Sequence, residues 1–458
     1  MKMSFSHLPI GNRAFSEKPM TFLDPGAKSY FSDILDLIAI ETGNRKAREY
    51  WQQVQLKNIL KHAAARSSFW KNRIVTKNPK NIKLSELPIL SRGDLVSMVA
   101  SEGSLLTPAD MFRVSTHGTS GSSGTRVTFY VSEMNGQYNN VRSVAQYLME
   151  DRDLTLNRTL IRPTAQIIDK GLRAEKHESW APSLAPFLRV GKNRVISISR
   201  LDIAALQKEL QNENIGYLIA QPRFIEALLQ RTDGEFFKNT GVAMWIPVGE
   251  EADANLREEF VRLGIPVRAN YSSEEVGLIG SECTTFPGNY HVATSNVIVE
   301  VESTDSINVE NKKLGRVLLT HLHSYATPLI RYDVEDLASL SDHCRCGHDG
   351  PTLSNIYGRK KRLLKRRNGQ VSTFIMDGGI LKIFRIIKCG EYRIRQTHLT
   401  TLNVEIGGVE NITPDQKQAL IAHFKNQVGD EFDIVIRPVQ KIDWGSDIKK
   451  LAFRSDVM

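Results

Sequence analysis

The sequence predicts a mixed α/β protein with a large N-terminal α/β domain, a β-rich subdomain and a small C-terminal α+β domain. Three observations support this. Helical and strand-like segments alternate between residues 203 and 250, short β-type runs dominate after Glu282, and alternation resumes after Gly358. Strands that alternate with helices are typical of α/β domains with buried strands. We therefore expect one domain over residues 1–357 and a second over residues 358–458.

The early elements follow from local patterns. Residues from Trp51 to Ile74 place apolar side chains near helical spacing, which predicts an amphipathic helix. Ser91 in LSRGDL is a suitable N-cap for a short helix. Between Ile203 and Arg231 a helix, the apolar strand GYLIAQP and another helix follow one another, and GVAMWIPVGEE reads as a second buried strand.

The later elements are more β-rich. The runs VIVEVE, GRVLLTHL and ASL are separated by polar turns, which predicts a smaller β subdomain. In the last hundred residues YRIRQTHLTTLNVEI is extended and FDIVIRPV is a strand. Between them Thr413 is a good N-cap, and Pro414 suits the first helical position. This stretch therefore forms an α+β module.

Length and composition indicate a folded globular chain. The 458 residues are about three times a typical domain of ~150, and hydrophobic and charged residues make up 41% and 24%. No stretch approaches the ~18 uncharged apolar residues of a bilayer span, and the N-terminal segment lacks the apolar core of a secretory signal. We expect a cytoplasmic protein without a membrane span.

Basic residues are in excess and unevenly placed. The net charge is +9, and RKKRLLKRR from Arg359 to Arg367 carries seven basic residues in nine. Such a run is often a solvated face; as a site it would attract nucleic acid, an anionic membrane or nucleotide phosphates. Because no aromatic interleaving or nucleic-acid module accompanies it, we expect no nucleic-acid partner.

A glycine- and hydroxyl-rich stretch, STHGTSGSSGTRVTFY from Ser115 to Tyr130, lies between two β-like runs. Glycine lets backbone N–H groups approach a phosphate, and Ser and Thr add donors around its oxygens. The alternative is a flexible linker, but a linker would interrupt a strand-rich core. The stretch is not a Walker A loop, since Arg126 follows Gly124 by two residues and no Lys-Ser/Thr pair follows.

The positions of the cysteines favour a metal site over a disulfide bond. Three of the four cysteines lie in polar, turn-rich sequence. Cys283 and His291 are eight residues apart, and Cys344 and Cys346 follow about fifty residues later. Three sulfurs and one imidazole form a closed, structural set for tetrahedral zinc. The C-x-C spacing is tighter than the usual C-x2-C, so chance cysteines are the alternative.

The chain contains four motifs of note, HGTSGSSGT, YSSEEVG, RYDVED and GRKKRLLK. Together they resemble those of the adenylate-forming enzymes, and among them the phenylacetate-CoA ligase-like and capsular polysaccharide biosynthesis branch. HGTSGSSGT is similar to the phosphate loop of this family, and YSSEEVG to its Y-G-x-T/S-E-x-G signature. RYDVED resembles R-Y-x-T-G-D, and GRKKRLLK resembles G-R-x-D-x-x-x-K. The four occur in the order and at the spacing of the family, and LSELPILSRGDL resembles the N-terminus of this branch.

The resemblance implies roles for individual residues. Tyr271 would stack near the adenine of ATP, Glu275 would hold Mg2+, and Asp336 would accept hydrogen bonds from both ribose hydroxyls. A carboxylate suits that last task because its two oxygens face two donors. The other residues expected around the nucleotide lie in the same motifs: Thr119, Ser120, Gly121, Ser122, Ser123, Gly124, Thr125, Ser272, Ser273, Glu274 and Arg359.

The chain also departs from the family pattern. Glu274 stands where a hydroxyl residue precedes the metal-binding acid, and Ser272 replaces the expected glycine. Val334 and Glu335 replace the Thr-Gly before Asp336. The hinge position of the G-R-x-D motif is Lys361, which is compatible with a pivot because that position requires backbone freedom.

Near the C-terminus the family carries a catalytic lysine on a glycine-containing loop. In DWGSDIKKLAFRSDV Lys450 aligns best, with Lys449 as the alternative. A mobile ammonium would stabilise charge that develops at the α-phosphate. The resemblance further implies that the C-terminal domain is a lid that rotates between half-reactions, and that the branch carries ligand positions similar to Cys283, His291, Cys344 and Cys346.

The expected function is ATP-dependent activation of a small carboxylic acid to an acyl adenylate with pyrophosphate release. Transfer to CoA, to an acyl carrier protein or to an amine would follow. Expected cofactors are ATP, Mg2+, a structural Zn2+ and, for the second step, CoA. The oligomeric state is open, with a homodimer as one option. The alternative function is a catalytically impaired nucleotide-binding partner protein in a biosynthetic pathway.

Overall fold

The structure is a computed structural model that describes residues 25–74, 83–107, 113–118, 127–163, 172–184, 188–198, 203–232, 234–252, 254–309, 312–357, 363–373, 383, 386–389, 391–444 and 453–457. Burial sorts most of the described apolar residues into separate cores for the N-terminal and C-terminal regions. A smaller cluster of Leu314, Leu337 and Leu363 connects the two regions. The architecture is the mixed α/β fold that the sequence predicts.

The N-terminal helices pack against the body of the protein. They are α1 (Pro25–Thr42), α2 (Arg45–Arg66), α3 (Ser68–Ile74) and α4 (Arg92–Glu102). The sequence predicts a single helix over Trp51–Ile74, but the structure divides this segment into α2 and α3 at Ser67. Ser67 has an extended backbone (φ −126°, ψ 124°), and its hydroxyl accepts a hydrogen bond from the Trp70 N–H at 3.0 Å. Ser67 thus ends one helix and caps the next.

A two-stranded hairpin follows, made of β1 (Val114–Gly118) and β2 (Thr128–Ser132), and it leads directly into α5 (Glu133–Met149). The strands pair antiparallel, with Gly118 opposite Thr128. The N–H of Tyr130 donates to the Thr327 hydroxyl at 3.0 Å. The hairpin is thereby joined to the segment that leads into a later sheet.

A five-stranded sheet forms the centre of the α/β region. Its strands are β3 (Arg158–Pro163), β4 (Leu172–His177), β5 (Asn193–Ile198), β6 (Gly216–Ala220) and β7 (Val242–Pro247). The order is β4-β5-β3-β6-β7, with only β4 antiparallel. The strands predicted from GYLIAQP and GVAMWIP are confirmed, and Trp245 on β7 is fully buried.

Helices cover this sheet, as the alternation of segments predicts. They are α6 (Ile203–Leu210), α7 (Pro222–Arg231), α8 (Glu235–Asn239) and α9 (Ala254–Arg262). The ring of Phe260 on α9 lies 4.7 Å from the ring of Trp245 and is itself fully buried. Aromatic pairs at this separation contribute beyond their buried area, so they hold the helix on the sheet.

The β-rich subdomain is a seven-stranded antiparallel sheet in the order β11-β12-β13-β14-β10-β9-β8. Its strands are β8 (Asn270–Ser273), β9 (Gly277–Glu282), β10 (Asn289–Val292), β11 (Val297–Val309), β12 (Lys312–His321), β13 (Tyr332–Ser341) and β14 (Thr352–Tyr357). This sheet carries both of the sites described below.

The C-terminal region begins with the hairpin of β15 (Leu363–Lys365) and β16 (Val371–Thr373). A four-stranded sheet in the order β19-β18-β17-β20 follows, made of β17 (Glu391–His398), β18 (Thr401–Gly407), β19 (Asp433–Val439) and β20 (Phe453–Ser455), with α10 (Pro414–Val428) beside it. Thr413 forms the predicted cap, with a complete capping box to Gln416. The stretch YRIRQTHLTTLNVEI is a hairpin of β17 and β18.

One aromatic side chain joins the two regions. The guanidinium groups of Arg223 on α7 and Arg393 on β17 lie 5.1 and 5.4 Å from the ring centroid of Trp444. The indole N–H of Trp444 also donates to Glu391 at 2.8 Å. Cations over an indole face are attracted by its quadrupole.

Among the helices that the structure describes, none has the length and apolar character needed to cross a bilayer.

Candidate active site and metal centre

Two of the predicted nucleotide residues are in direct contact. Tyr271 on β8 donates its hydroxyl to Asp336 Oδ2 on β13 at 2.8 Å. Burial and the Asp336 carboxylate raise the pKa of Tyr271 well above its ordinary value, so the phenol stays protonated and remains a donor. Residues from two separate motifs, 65 positions apart, therefore form one polar pair.

This contact requires a strongly curved sheet. Three strands, β14, β10 and β9, separate β8 from β13. In a flat sheet, strands four spacings apart would lie roughly 19 Å from each other, at about 4.8 Å per spacing. Register shifts occur between Tyr271 and Ser272 and between Leu337 and Ser339, next to both residues of the pair. Bulges of this kind bend a strand and increase its local twist, which allows β13 and β8 to approach each other.

Glu275, the predicted magnesium ligand, lies in the turn between β8 and β9. Its side chain is only 7% exposed. Tyr332 donates its hydroxyl to Glu275 Oε1 at 3.1 Å, and Arg92 Nη1 lies 3.6 Å from the same oxygen. Burial and the Glu275 carboxylate raise the pKa of Tyr332, which keeps its proton for this bond.

The turn itself depends on Gly277. Its φ is +76°, which side chains rarely adopt, and a Cβ there would meet Asn139 Oδ1 at 3.0 Å. Asn296 Nδ2 donates to the carbonyls of Val276 and Leu278 at 3.0 and 2.6 Å. The turn residues are thus held rigidly, and Glu275 is directed inward.

The other residues predicted from this motif have different surroundings. Ser272 and Glu274 are exposed, and Ser273 is half-buried. The Ser273 hydroxyl accepts a hydrogen bond from the Val276 N–H at 3.3 Å and so stabilises the turn. Because Glu274 is exposed and Glu275 is not, water can solvate the extra carboxylate that departs from the family pattern.

The segment before Asp336 departs from the family pattern at the position of its glycine. Glu335 occupies that position and has φ +68°. A residue with a Cβ pays roughly 1–2 kcal/mol in this region. The Glu335 N–H donates to Asp333 Oδ1 at 2.8 Å, which partly offsets the strain. The backbone shape of the motif is therefore kept without its glycine.

Several predicted residues lie outside the described part of the chain. They are the glycine-rich loop residues Thr119, Ser120, Gly121, Ser122, Ser123, Gly124 and Thr125, the nucleotide residue Arg359, the hinge residue Lys361, and Lys449 and Lys450. The loop connects β1 to β2. Their roles stay predictions.

The four predicted zinc ligands come together. The ligand atoms of Cys283, His291, Cys344 and Cys346 all lie within 4.8 Å of one another. Cys283 Sγ and Cys344 Sγ are 3.8 Å apart, and Cys346 Sγ and His291 Nε2 are 3.4 Å apart. A tetrahedral zinc with bonds of about 2.3 Å to sulfur and 2.0–2.1 Å to nitrogen requires separations of about 3.8 and 3.5 Å. The donors fit the metal.

The surrounding turns prepare the cluster for a metal. The N–H of Phe286 donates to Cys283 Sγ at 3.4 Å. Burial opposes ionisation of Cys283, but this bond and the other backbone and thiol donors lower the pKa of the thiol overall. Burial, with the His348 ring stacked at 4.1 Å, lowers the pKa of His291 to about 4. The imidazole is therefore neutral at pH 7, as a ligand must be.

Two contacts at Glu275 were missed by the sequence reasoning. Tyr332 is part of RYDVED, so its motif could have indicated it. Arg92 gave a weaker signal, because it follows the predicted cap Ser91 but belongs to none of the four nucleotide motifs.

No family model and no curated protein sequence matches the chain. Solved structures do. A 2-hydroxyisobutyryl-CoA ligase in the postadenylation state with 2-HIB-AMP gives a TM-score of 0.69 at 15% identity, covering 91% of each chain. The same ligase with 2-HIB-AMP and CoA in the thioesterification state gives 0.55 at 16% identity, over 91% of this chain and 92% of that chain.

A second kind of enzyme has a similar structure. The AtGH3.15 acyl acid amido synthetase in complex with 2,4-DB gives a TM-score of 0.53 at 12% identity, covering 94% of both chains. Likeness over nine-tenths of the length, at such low identity, is a likeness of fold. The chain therefore has the adenylate-forming enzyme fold that its four sequence motifs predict.

Proposed function

We propose that the protein activates a carboxylic acid with ATP, releases pyrophosphate and transfers the acyl group from the adenylate to CoA. The observation that carries this proposal is that two predicted nucleotide motifs contact each other twice, through Tyr271 with Asp336 and through Glu275 with Tyr332. The two motifs involved are 60 residues apart in the sequence yet contribute to one site. The similar ligase structures contain an acyl adenylate, and one of them also contains CoA.

The nucleotide would be held on this sheet by Asp336 and Tyr271. Asp336 Oδ2 accepts from Tyr271, but each carboxylate oxygen has two lone pairs and can accept a second donor. The ribose hydroxyls can therefore reach Asp336 while Tyr271 fixes its rotamer. The loop from Thr119 to Thr125 would surround the β- and γ-phosphates with backbone and hydroxyl donors.

Glu275 would hold Mg2+, since a carboxylate oxygen is the ligand that this hard cation prefers. When bound, the ion would screen the triphosphate from the incoming carboxylate. The rigid turn at Gly277 supports this role because it fixes Glu275 at one place relative to Asp336.

Residues 358–458 would act as a lid that brings Lys450 to the α-phosphate. Trp444 lies six positions before Lys450 and contacts Arg223 of the N-terminal region. The higher TM-score with the postadenylation state than with the thioesterification state supports a lid in the former arrangement. Lys449 is the alternative to Lys450.

We also propose that Cys283, His291, Cys344 and Cys346 hold one structural zinc ion. Four protein ligands leave no open position for a water, so this metal would stabilise the fold and take no part in the reaction. The cluster joins the β9–β10 connection to the β13–β14 connection.

A pyrophosphate-release screen tests the proposed function. Aryl, fatty, amino and hydroxy acids, including 2-hydroxyisobutyrate, are each incubated with ATP and Mg2+, with and without CoA. We expect release with at least one acid and formation of its thioester when CoA is present. Release without thioester would point to an acyl carrier protein or an amine as acceptor. ATP binding without release by any acid would favour the catalytically impaired partner protein.

A further inference from the structure

The N-terminus of helix α4 lies at Glu275. Arg92 is the first residue of this helix, and Ser91 before it is the N-cap. The Ser91 hydroxyl accepts from the Asp94 N–H at 3.1 Å, and Asp94 Oδ2 accepts from the Ser91 N–H at 2.9 Å. Because this capping box fixes the first helical turn, the backbone of Arg92 has little freedom.

The same segment is joined to the strand that carries Tyr332 and Asp336. Leu90 forms a parallel bridge with Tyr332. The Leu90 N–H donates to the Arg331 carbonyl, and the Asp333 N–H donates to the Leu90 carbonyl, both at 3.0 Å. The backbone bridge between Leu90 and Tyr332 therefore places both Arg92 and Tyr332 next to Glu275.

Both groups contact the same oxygen of Glu275. Tyr332 donates to Oε1, and the Arg92 guanidinium faces Oε1 at 3.6 Å. Within the described residues no hydrogen bond is recorded to Oε2. The side chains of Arg92 and Glu275 are only 10% and 7% exposed, so water screens their attraction weakly.

We infer that Arg92 and Tyr332 are positioning residues that hold Oε1 of Glu275 and direct Oε2 towards the divalent cation of the nucleotide. This inference rests on the proposed function, because it takes Glu275 as the metal ligand. Carboxylates that bind metals are themselves held by hydrogen bonds, and loss of such partners typically costs 10–100-fold in metal affinity. Arg92 lies outside the four nucleotide motifs, 25 positions before the first of them begins at His117.

The opposite role makes the opposite prediction. Arg92 is itself a cation, so if it merely occupied the place of the metal, its removal would strengthen metal binding. If it positions Glu275, its removal weakens metal binding. The sign of the change therefore decides between the two roles.

The experiment measures binding and does not require turnover. The Kd of a non-hydrolysable ATP analogue is determined with EDTA and with saturating Mg2+. The Kd in EDTA divided by the Kd in Mg2+, here called the metal ratio, gives the contribution of the metal to binding. We expect Arg92→Ala to reduce this ratio by about tenfold or more. The largest possible reduction brings the ratio to one, where the metal no longer contributes to binding. Tyr332→Phe should reduce it less, and Arg92→Lys should restore part of it.

Arg73→Ala is the matched control. Arg73 pairs with Asp94 of the same capping box at 2.9 Å but has no recorded contact with Glu275. Its loss should lower thermal stability and leave the metal ratio within about twofold of wild type. A ratio in Arg92→Ala that equals or exceeds that of the wild type would overturn the inference.

Glu275→Gln separates this inference from the proposed function. If Glu275→Gln loses the metal ratio while Arg92→Ala keeps it, Glu275 is the ligand and only the positioning role fails. If the wild type and Glu275→Gln give the same ratio, Glu275 is not the metal ligand. In that case both the inference and this part of the proposed function fail.

Discussion

The two ends of strand β9 carry two different kinds of site. At its start, Gly277 ends the turn that presents Glu275, and just beyond its end Cys283 belongs to the Cys3His cluster that we propose holds zinc. Its four donors come from the β9–β10 connection, from strand β10 and from the β13–β14 connection, and they lie within 4.8 Å of one another. By contrast, the carboxylates of the proposed nucleotide site come from the β8–β9 turn (Glu275) and from β13 (Asp336). The predicted loop and lysine come from elsewhere in the chain.

The difference follows from what each end must do. A structural metal is enclosed for the lifetime of the fold, so short connections anchored on adjacent strands suffice. A substrate site must admit and release its ligands, so it draws on distant segments that can separate. Removing the first kind of site should therefore change stability, and altering the second should change binding and rate.

The largest effect is expected from removal of the metal cluster. Replacing Cys283, His291, Cys344 and Cys346 together by alanine should abolish a zinc content of about one ion per chain. Because metal binding contributes directly to folding, the free energy of unfolding should fall by about 4 kcal/mol or more. Metal analysis and denaturant unfolding measure the two quantities.

Cys389→Ala is the control for this comparison. Cys389 is a buried cysteine of the C-terminal core and lies outside the cluster, so its variant should keep the zinc. Unchanged zinc in the fourfold variant would refute the assignment of the ligands.

A second large effect is expected at the lid. Lys450→Ala should lower the rate of adenylation about 10²-fold or more, by loss of one preorganised charge stabiliser. Transfer from a presynthesised acyl adenylate should persist, because in the proposed scheme the lid would by then have rotated the lysine away. Single-turnover kinetics of each half-reaction measures both rates.

The neighbouring Lys449→Ala should have the smaller effect. A larger loss at Lys449 would move the catalytic role one residue upstream. An equal loss in both half-reactions would argue against a rotating lid.

An intermediate effect is expected at the ribose site. Asp336→Ala removes both proposed ribose contacts and should weaken ATP binding by at most about 1.5–3 kcal/mol for each hydrogen bond to the charged group, without unfolding the chain. Tyr271→Phe removes only the 2.8 Å bond that orients Asp336 and should weaken binding less. Calorimetric titration with ATP compares them, and wild-type affinity in Asp336→Ala would exclude the ribose role.

The smallest effect is expected from Glu335→Gly. Because Glu335 has φ +68°, glycine there removes the cost of a Cβ in the left-handed region. Glycine also has greater chain entropy in the unfolded state, which offsets part of this gain. The free energy of unfolding should therefore rise by up to about 1 kcal/mol. Denaturant unfolding measures it, and a destabilised variant would show that the Glu335 side chain makes a stronger contact than its backbone strain costs.

Much of the fold was predictable because its signals are local. Alternating apolar runs indicated the strands around Trp245, and Thr413 with Pro414 marked the start of α10. The break at Ser67 was not predictable from apolar spacing alone. It depends on a hydroxyl that bonds to Trp70 and to Glu102 on another helix, and the second contact exists only after folding.

The sequence by itself determined which residue types could form each site. For a metal it offers three cysteines and one histidine, and for a nucleotide it offers Glu275 and Asp336, within motifs that occur in the order of one family. It also determined the class of fold, because hydrophobic periodicity and capping are properties of neighbouring residues. It carried no measure of distance between Cys283 and Cys344, or between Tyr271 and Asp336.

Tertiary structure decided which of these residues meet. The curvature of the seven-stranded sheet brings Asp336 to Tyr271 across three intervening strands. The junction at Leu90 brings Arg92 to Glu275, 183 positions away in the sequence. Both contacts depend on how strands twist and pack over long separations in the sequence. No local pattern can encode such contacts, because the energy that favours them comes from the packing of the whole domain.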